Sequence, residues 1–472
     1  MKITPIGYSA QKVTGSCNKI EYLDKTLLVE CGGIQEGRTP LENYNLNRAM
    51  IQQIKSKKID FIFLLHSHFD HIGLVPTNYS NGCKARLIVP KGGYLILREM
   101  WLDSAKIMEK DCIYLSKKFG KEYTPFYTIQ DVENTLQFIE EFDSGEIFNI
   151  NEELSFRFIP AGHIAFSQQL ELFIKLNNHT NKILITSDLG NLLTQDRREY
   201  VDKFVPVQKA NVVIGESTYG RNGRQKTKKD FEKDLEKIKA VIEQFCVDGN
   251  GRVLIPAFSL DKTPIILTYL YDIFGNDSSF KVPIIVDSPL GIRLLKCYEQ
   301  LLTGEAKVKF DRVMAWDNIK LITDHKESAS CMLDMKPKVL VSSGGMIQSG
   351  RCISWAQSII PRSNDAIMFM GYCGANTLGW KIKNLSSQKT VTINNKVLKN
   401  RCQIIELSSF SSHMQQNDLI NYYKSIQADK IYLLHGDEQS RIDLKNKLQE
   451  ELSNSCKTTK VSIVNKSTVI TL

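Results

Sequence analysis

The sequence predicts a layered α/β fold, and two observations support this prediction. Short apolar runs typical of buried strands alternate along the chain with segments of helical periodicity. Many of these runs end in glycine, histidine or an acidic residue, at the position where open α/β sheets place the groups that bind ligands. At 472 residues the chain exceeds the usual size of one hydrophobic core, so we expect two or three domains.

The first 220 residues alternate strands with turns and helices. Glycine-containing turns close several of the apolar runs, and two longer segments have a helical period. The predicted strands are 3–7, 26–33, 59–65, 86–90, 155–159, 182–186 and 211–215. The predicted helices are 46–54 and 93–119.

The strongest signal lies directly after the strand predicted at 59–65, in the segment Leu64-Leu65-His66-Ser67-His68-Phe69-Asp70-His71. In a chain of this composition the pattern H-x-H-x-[DE]-H is expected by chance only roughly 10⁻⁴ to 10⁻³ times. Imidazole and carboxylate are ligands that zinc accepts readily, so the segment predicts donors for two metal ions. The alternative is a polar turn whose histidines cap a strand or a helix.

Four further polar groups fall at or just past predicted strand ends: His163, Asp188, His413 and His435. Each of them alone would more often be an ordinary turn residue. Because open sheets gather such ends at one edge, we expect these groups to join the histidine segment in one site. The two remaining histidines, His179 and His325, lie in polar loops and are taken as incidental.

After Glu216-Ser217-Thr218-Tyr219-Gly220 the pattern changes, and 221–399 reads as a separate α/β domain with a parallel sheet. Its predicted strands are 253–258, 282–286, 339–343 and 366–370, with helices at 227–245, 262–274 and 290–302. Its glycine- and serine-rich loops, with Arg351 after a glycine, suit an anionic phosphate. Ordinary crossover loops are the alternative. The last part of the chain again alternates strands and helices, as the first 220 residues do. Its predicted strands are 401–407, 430–434 and 461–471, and its predicted helices are 416–425 and 439–452.

Composition limits the class of protein. The net charge of +9 would suit a polyanionic partner without requiring one. The basic run Arg221, Arg224, Lys226, Lys228 and Lys229 has the alternative of a solvated helix start. No apolar stretch approaches the roughly 20 residues that span a bilayer, and the first 16 residues do not resemble a secretory leader. Because no stretch could span a bilayer, we expect no membrane partner. Eleven scattered cysteines without a C-x-x-C motif indicate free thiols in a reducing cytoplasm.

The ordered motifs of the chain resemble those of the β-CASP branch of the metallo-β-lactamase superfamily. The resemblance rests on Val13–Cys17, His66–His71, His163, Asp188, Glu216–Gly220, Ser343–Met346, Phe410–His413 and His435-Gly436. It covers essentially the whole chain. It implies a metallo-β-lactamase αββα sandwich, built from 1–220 and 400–472, into which a β-CASP domain at 221–399 is inserted.

The resemblance also implies roles for individual residues and two Zn²⁺ ions per chain. One zinc would be held by His66, His68 and His163, the other by Asp70, His71 and His435, and Asp188 would bridge them. Asp70, Glu216 and His413 would be catalytic, with His413 as the general acid. The residues that resemble phosphate contacts are Ser343, Gly344, Gly345, Arg351, Ser409, Ser411 and Ser412.

The implied function is a zinc-dependent ribonuclease that cleaves single-stranded RNA by a two-metal mechanism in an electropositive cleft between the domains. The serines around His413 resemble those of the endonuclease members of the family, which implies endonucleolytic cleavage. The alternatives are a 5′-3′ exoribonuclease, a nuclease for single-stranded DNA, a hydrolase of a non-nucleic ester, and an RNA-binding scaffold with a degenerate centre. A homodimer is left open.

Three positions depart from the family pattern. Glu30 stands where an aspartate usually orients the metal ligands. Asp261-Lys262 replaces a usual Gly-Arg pair, and Trp380 replaces a common arginine. We expect the last two departures to alter RNA contacts in the insert.

Overall fold

Two β-sheets with their helices form one part of the chain, and a third sheet forms the other. The computed structural model describes residues 1–35, 37, 39–176, 179–221, 225–348, 350–374 and 377–471. The first unit comprises Met1–Gln195, Val201–Gln225 and Ser412–Leu472. The second unit comprises Asp196–Tyr200 and Lys226–Ser411.

The first sheet of the first unit has, within the described ranges, the strand order β22-β1-β2-β3-β4-β5-β6. Its strands are β1 (Lys2–Pro5), β2 (Asn18–Tyr22), β3 (Lys25–Val29), β4 (Phe61–Phe63), β5 (Arg86–Pro90), β6 (Ile139–Phe142) and β22 (Ile470–Thr471). Strands β3 to β6 run parallel, whereas β22, β1, β2 and β3 pair antiparallel.

The second sheet has the order β21-β20-β11-β10-β9-β8-β7 over the same described ranges. Its strands are β7 (Phe148–Asn149), β8 (Leu154–Pro160), β9 (Gln168–Leu176), β10 (His179–Ile185), β11 (Lys209–Glu216), β20 (Gln427–Leu434) and β21 (Lys460–Ile463). Strands β10, β11, β20 and β21 are parallel, so their carboxyl ends meet at one edge of the sheet.

The alternation of side chains along these strands explains the layers. On β3, Leu27 and Val29 enter the core between the two sheets, whereas Leu28 faces the helices outside. On β11, Val212 and Ile214 enter the inner core and Val213 the outer one. Because both faces are buried, these strands read in the sequence as continuous apolar runs.

Helices cover the outer faces of both sheets. Trp101 and Val132 lie in the core outside the first sheet, and Leu419 and Leu444 lie in the core outside the second. The helices of this unit are α1 (Pro40–Ile51), α2 (Phe69–Ile72), α3 (Val75–Ser80), α4 (Gly93–Phe119), α5 (Ile129–Leu136), α13 (Gln416–Ser425) and α14 (Glu438–Asn454). The predicted αββα sandwich is therefore confirmed.

The second unit contains a parallel sheet of order β14-β13-β15-β12-β16-β19 in the part of the chain that is described. Its strands are β12 (Arg252–Ala257), β13 (Ile284–Asp287), β14 (Ile319–Leu321), β15 (Lys338–Ser343), β16 (Ala366–Phe369) and β19 (Gln403–Glu406), and a hairpin adds β17 (Thr390–Ile393) and β18 (Lys396–Lys399). The predicted α/β insert with a parallel sheet is confirmed.

The helices of the second unit follow its strands. They are α6 (Lys228–Ile242), α7 (Lys262–Phe274), α8 (Pro289–Leu301), α9 (Gly304–Met314), α10 (His325–Leu333), α11 (Cys352–Ile359) and α12 (Leu378–Lys383). Thr227 and Asp230 form a capping box that starts α6. Lys228 and Lys229 are exposed in its first turn, as a solvated helix start would place them, and Arg224 of the basic run lies outside the described residues.

Two expectations differ from the structure. The strand predicted at 461–471 is two short strands, β21 and β22, in different sheets. Asn465 interrupts it, because its side chain accepts from the backbone of Ser467 and its carbonyl accepts from Thr468, which forms a turn. The insert boundary predicted at 399 also excludes β19, which pairs parallel with β16 as an edge strand of the insert's sheet. The reason is that β19 is short and apolar, like the strands on either side of the boundary.

Two findings bear on location. All eleven cysteines lie in the described ranges and are free thiols, and most of them are buried. Among the described helices, each is either too short or too polar to cross a bilayer.

A buried ion pair in the second unit yields a stability prediction. Asp365 and Arg252 are fully buried, with Arg252 Nη2 2.6 Å from the Asp365 carboxylate. Replacing Asp365 with Ala leaves a buried guanidinium unpaired, so we expect the free energy of unfolding to fall by about 3–5 kcal/mol in urea denaturation.

The matched control is Lys307→Ala, which removes the partly exposed pair with Asp311 on α9. It should cost about 0.5 kcal/mol or less. Equal losses in the two variants would contradict the prediction.

Candidate metal centre

The segment 66–71 leaves β4 in an extended conformation and turns into α2 at His68. The backbone of Cys31 donates to the His71 carbonyl at 2.9 Å, and Ser16 donates to the Asp70 carbonyl at 2.7 Å. A Cβ on Gly32 would lie 1.6 Å from the Asp70 carbonyl oxygen, so only glycine permits this close approach. The strand end is thereby fixed against the loop that follows β3.

The other predicted groups follow strands of the second sheet. His163 comes after β8, Asp188 after β10 and His435 after β20, as the sequence predicts. Ser187 and His435 adopt positive φ angles of 50° and 51°, which non-glycine residues seldom do. Such strain persists where surrounding contacts enforce it, and it is common at functional sites.

Asp188 lies at the centre of these groups. Its Oδ2 is 3.5 Å from Nε2 of His66, 3.5 Å from Nε2 of His71 and 3.6 Å from Nε2 of His163. Its Oδ1 is 3.0 Å from Nδ1 of His435. The chain therefore brings four of the predicted imidazoles to one carboxylate.

Four groups of side chains within the described residues offer donor atoms close enough to share an ion, and two of these groups consist only of predicted metal ligands. The first consists of His66, His68, His163 and Asp188, and the second of Asp70, His71 and His435. In the second group, Asp70 Oδ2 is 3.6 Å from Nε2 of both His71 and His435. All seven predicted metal ligands therefore lie in one cluster, as the predicted assignment requires.

The cluster fits metal ions on two grounds. Nε2 of His66, His71 and His435 is buried without a hydrogen-bond partner among the described residues, which is costly unless another group satisfies it. Donor separations of 3.3–3.6 Å also match the edge of a tetrahedron, roughly 3.3–3.4 Å for zinc–nitrogen bonds of roughly 2.0–2.1 Å.

Glu30 orients two of the histidines. Its carboxylate lies 2.8 Å from Nδ1 of His71 and accepts hydrogen bonds from Ser16 at 2.5 Å and Ser187 at 2.6 Å. Ser187 Oγ is in turn 3.0 Å from Nδ1 of His66. The glutamate at this position therefore reaches the ligands that the expected aspartate would serve, and the contacts of Ser16 and Ser187 were not evident from the sequence.

The protonation equilibria of the cluster also favour a cation. Burial lowers the pKa of His68 to about 3, so this imidazole is neutral near pH 7. Burial also opposes protonation of His435, but Asp188 outweighs it and raises the pKa of His435 to about 10. Burial would raise the pKa of Glu30, yet His71 and His66 hold it well below its usual value. A bound cation would replace the protons that these carboxylates attract.

Glu216 and His413 lie beside the cluster. Glu216 is buried and accepts backbone hydrogen bonds from Leu189 and Thr218, each at 2.9 Å. Nδ1 of His413 is 3.7 Å from its carboxylate, an ion-pair distance longer than a hydrogen bond. The His413 ring is partly exposed and lies 4.4 Å from the ring of His163, so it borders the donor groups while reaching solvent.

The predicted phosphate contacts lie in several places. Ser412 belongs to the first unit, and its carbonyl is 3.3 Å from Nδ1 of His163. The others lie in the second unit. Ser343, Gly344 and Gly345 end β15, whereas Ser409 and Ser411 follow β19. The backbone of Ser409 donates to Asp234 at 3.0 Å.

Arg351 does not suit the predicted phosphate contact. It is buried, and its guanidinium donates to the carboxylate of Asp287 and to the carbonyls of Ile322 and Thr323. The glycine before Arg351 predicts an exposed arginine in a loop, but the side chain instead pairs with the fully buried Asp287 at the end of β13. Arg351 is therefore not assigned to the RNA backbone.

The departures at 261 and 262 are also built into the second unit. Asp261 is buried and pairs with Arg198 at 2.9 Å. Lys262 is partly buried and donates to the carbonyl of Phe410, and burial lowers its pKa to about 8. Trp380, by contrast, is exposed on α12.

Comparison with known families and proteins agrees with this arrangement. Residues 265–382 match the Beta-Casp domain, and residues 398–459 match the Zn-dependent metallo-hydrolase RNA specificity domain. Ribonuclease TTHA0252 of Thermus thermophilus is 24% identical over 450 residues, covering 94% of this chain and 95% of that protein.

Two further relatives and one solved structure are similar. Cleavage and polyadenylation specificity factor 73 of Drosophila melanogaster is 25% identical over 96% of this chain and 62% of its own length. Transcription termination factor FttA of Methanosarcina mazei is 24% identical, covering 96% and 69%. A structure of an Enterococcus faecalis protein of unknown function shares the fold, with a TM-score of 0.56 and 10% identity over 100% of this chain and 99% of that one.

The contacts of Glu30 predict a loss of metal affinity on substitution. In Glu30→Gln one carboxylate oxygen becomes an amide nitrogen, which cannot accept from Ser16 or Ser187, and the negative charge beside His66 and His71 is lost. We therefore expect zinc affinity to fall roughly 10- to 100-fold. Competition against a chromophoric chelator measures the change. Glu21→Gln, on the neighbouring strand β2, is the control and should bind zinc as the wild type does; equal affinities in all three proteins would contradict the prediction.

Proposed function

Because the chain belongs to the β-CASP family of metallo-β-lactamase-fold nucleases, we propose that it is a zinc-dependent endoribonuclease acting on single-stranded RNA. As a member of this family, the protein is a metal-dependent hydrolase and belongs with the RNA-processing nucleases. The observation that carries the proposal is the convergence of seven donor side chains around Asp188, with three buried imidazole nitrogens lacking a partner among the described residues.

We assign two zinc ions to this cluster. One ion would be held by His66, His68 and His163, the other by Asp70, His71 and His435, and both by Asp188. Bound zinc would supply Lewis-acid stabilisation of charge at phosphorus and lower the pKa of water toward about 7. In this assignment Glu30 and Ser187 keep Nε2 of His66 and His71 directed into the cluster.

His413 is the proposed general acid. It borders the cluster, its ring is partly exposed, and Glu216 lies on its Nδ1 side at 3.7 Å. In this role the imidazole donates a proton to the leaving oxygen, and the Glu216 carboxylate orients the ring. Proton transfer of this kind contributes roughly 10²- to 10⁴-fold to a rate.

The substrate contacts and cleavage mode complete the proposal. Ser343, Gly344, Gly345, Ser409, Ser411 and Ser412 are assigned to the RNA backbone. The endonucleolytic mode is inferred from the serine-rich segment before His413. We also place the reaction in the cytoplasm, in keeping with the free thiols. A homodimer stays a prediction, which sedimentation of the purified protein tests.

Cleavage of circular RNA tests activity and mode together. A covalently closed single-stranded RNA has no ends, so only an endonuclease can linearise it. We expect the wild type with zinc to produce linear RNA and then fragments, and to leave a DNA circle of the same sequence intact. Cleavage of linear RNA alone would instead indicate an exonuclease.

The same assay tests the metal cluster. Asp188→Asn should reduce cleavage by at least roughly 10³-fold, because one oxygen of the shared carboxylate becomes an amide in the centre of the cluster. The control His325→Ala changes a histidine at the start of α10, far along the chain from all the donor residues, and should retain full activity. Cleavage by Asp188→Asn at the wild-type rate would contradict the proposed function.

A further inference from the structure

Three exposed aromatic residues lie beyond the carboxyl ends of neighbouring strands in the sheet of the second unit. Phe258 directly follows β12, Tyr372 follows β16, and Trp380 lies in the first turn of α12. Their exposed fractions are 38%, 46% and 40%, which is high for rings of this size. We call these three residues the aromatic platform.

Phe258 rests on the glycine turn that follows β15. A Cβ built on Gly345 would lie 2.9 Å from the ring of Phe258, closer than any side chain permits. The absence of a side chain therefore lets this ring lie against the backbone of the turn. The ring remains partly exposed even though its inner side is covered.

The segment that carries Tyr372 and Trp380 also contacts this turn. The backbone of Gly379, which precedes Trp380, donates to the carbonyl of Met346 at 2.8 Å. A Cβ on Gly374 would lie 3.9 Å from the ring of Tyr372 and 4.0 Å from the sulfur of Met346. The Phe258 ring therefore borders the turn that follows β15, and the segment that carries Tyr372 and Trp380 is hydrogen-bonded to the same turn, at the edge where parallel sheets place ligands.

Phe258 and Trp380 differ from the exposed rings of Tyr114 and Phe119. Tyr114 and Phe119 on α4 are faced by the ammonium group of Lys118, 5.3 and 5.6 Å from the ring centroids. Among the described residues, neither Phe258 nor Trp380 takes part in a ring–ring or cation–π contact. Their exposed surfaces are thus not used by neighbouring rings or cations of the described chain.

We propose that the aromatic platform binds unpaired bases of single-stranded RNA by stacking. The proposal rests on the proposed ribonuclease function for its substrate class and names the residues that recognise the single-stranded state. Every base has a flat face that stacks on an aromatic ring, whereas bases in a duplex are already stacked on one another. Lys381, exposed next to Trp380, supplies a cation for the accompanying phosphate.

Unpaired bases fit this surface better than an apolar segment of a protein would. Phe258 lies against the backbone of a glycine turn, and Ala257 before it pairs in register with the polar Ser343, so this ring is flanked by polar groups and not by an apolar surface. Separate rings around exposed backbone are the arrangement of a stacking surface for successive bases.

Tryptophan fluorescence and binding test the platform on the full-length zinc-loaded protein. The probe is a short oligouridine with phosphorothioate linkages, which resists hydrolysis. Stacking on Trp380 should quench its fluorescence, and Trp380→Phe should abolish most of this quench while keeping the affinity within a few-fold. Trp380→Ala should weaken binding about 5- to 150-fold, the range measured for loss of one stacking ring.

Three comparisons make the result decisive. Trp380→Leu should bind as weakly as Trp380→Ala, because an apolar side chain without a ring cannot replace stacking. An abasic oligomer of the same length should bind wild type and Trp380→Ala equally. Phe119→Leu, which removes an exposed ring of the first unit, should bind as the wild type does.

The outcomes separate this proposal from the proposed function. Full RNA affinity in Trp380→Ala, with RNA cleavage by the wild type, would overturn the platform and leave the nuclease standing. Equal quenching by duplex RNA would also overturn the platform. Base-dependent binding that is lost in Trp380→Ala, in a protein that cleaves no RNA, would support the platform and contradict the nuclease.

Discussion

The meeting of one buried carboxylate with several buried imidazoles is the constraint on which the rest of the first unit depends. Asp188 lies within 3.6 Å of His66, His71, His163 and His435, which follow strands of two different sheets. Buried charges and unpaired ring nitrogens are costly in the absence of compensating partners. Metal bound in the cluster would satisfy both at once, so metal binding and the packing of the two sheets are expected to stabilise each other.

The backbone around the cluster is held in unfavourable conformations by its neighbours. Glu30, Ser187 and His435 have φ angles of 65°, 50° and 51°, each of which costs of order 1–3 kcal/mol. Hydrogen bonds hold these residues in place: Ser187 donates to Glu30 at 2.6 Å, and the backbone of His435 donates to Ser9 at 2.7 Å. The surrounding sheets therefore hold the donor atoms in defined positions, which favours affinity and geometric selectivity.

Much of this arrangement could be predicted from the sequence, for a physical reason. Parallel strands gather their carboxyl ends, so Asp188 and His435, which follow the parallel strands β10 and β20, could be placed together from the strand pattern. The contacts of Ser16 and Ser187 could not be predicted, because they depend on tertiary packing between distant segments. Arg351 followed a glycine and suggested a phosphate site, but the position of the buried Asp287 that captures it is not visible in a local pattern. The prediction of one strand at 461–471 was wrong, because a turn at Asn465 interrupts the apolar pattern.

Metal content of the purified protein tests the central claim most directly. We expect elemental analysis of zinc-loaded, dialysed protein to find two zinc ions per chain, and a protein in which His66, His71 and Asp188 are all replaced by Ala to retain none. Tightly bound zinc in the triple variant, or less than one ion per chain in a folded wild-type protein, would contradict the account.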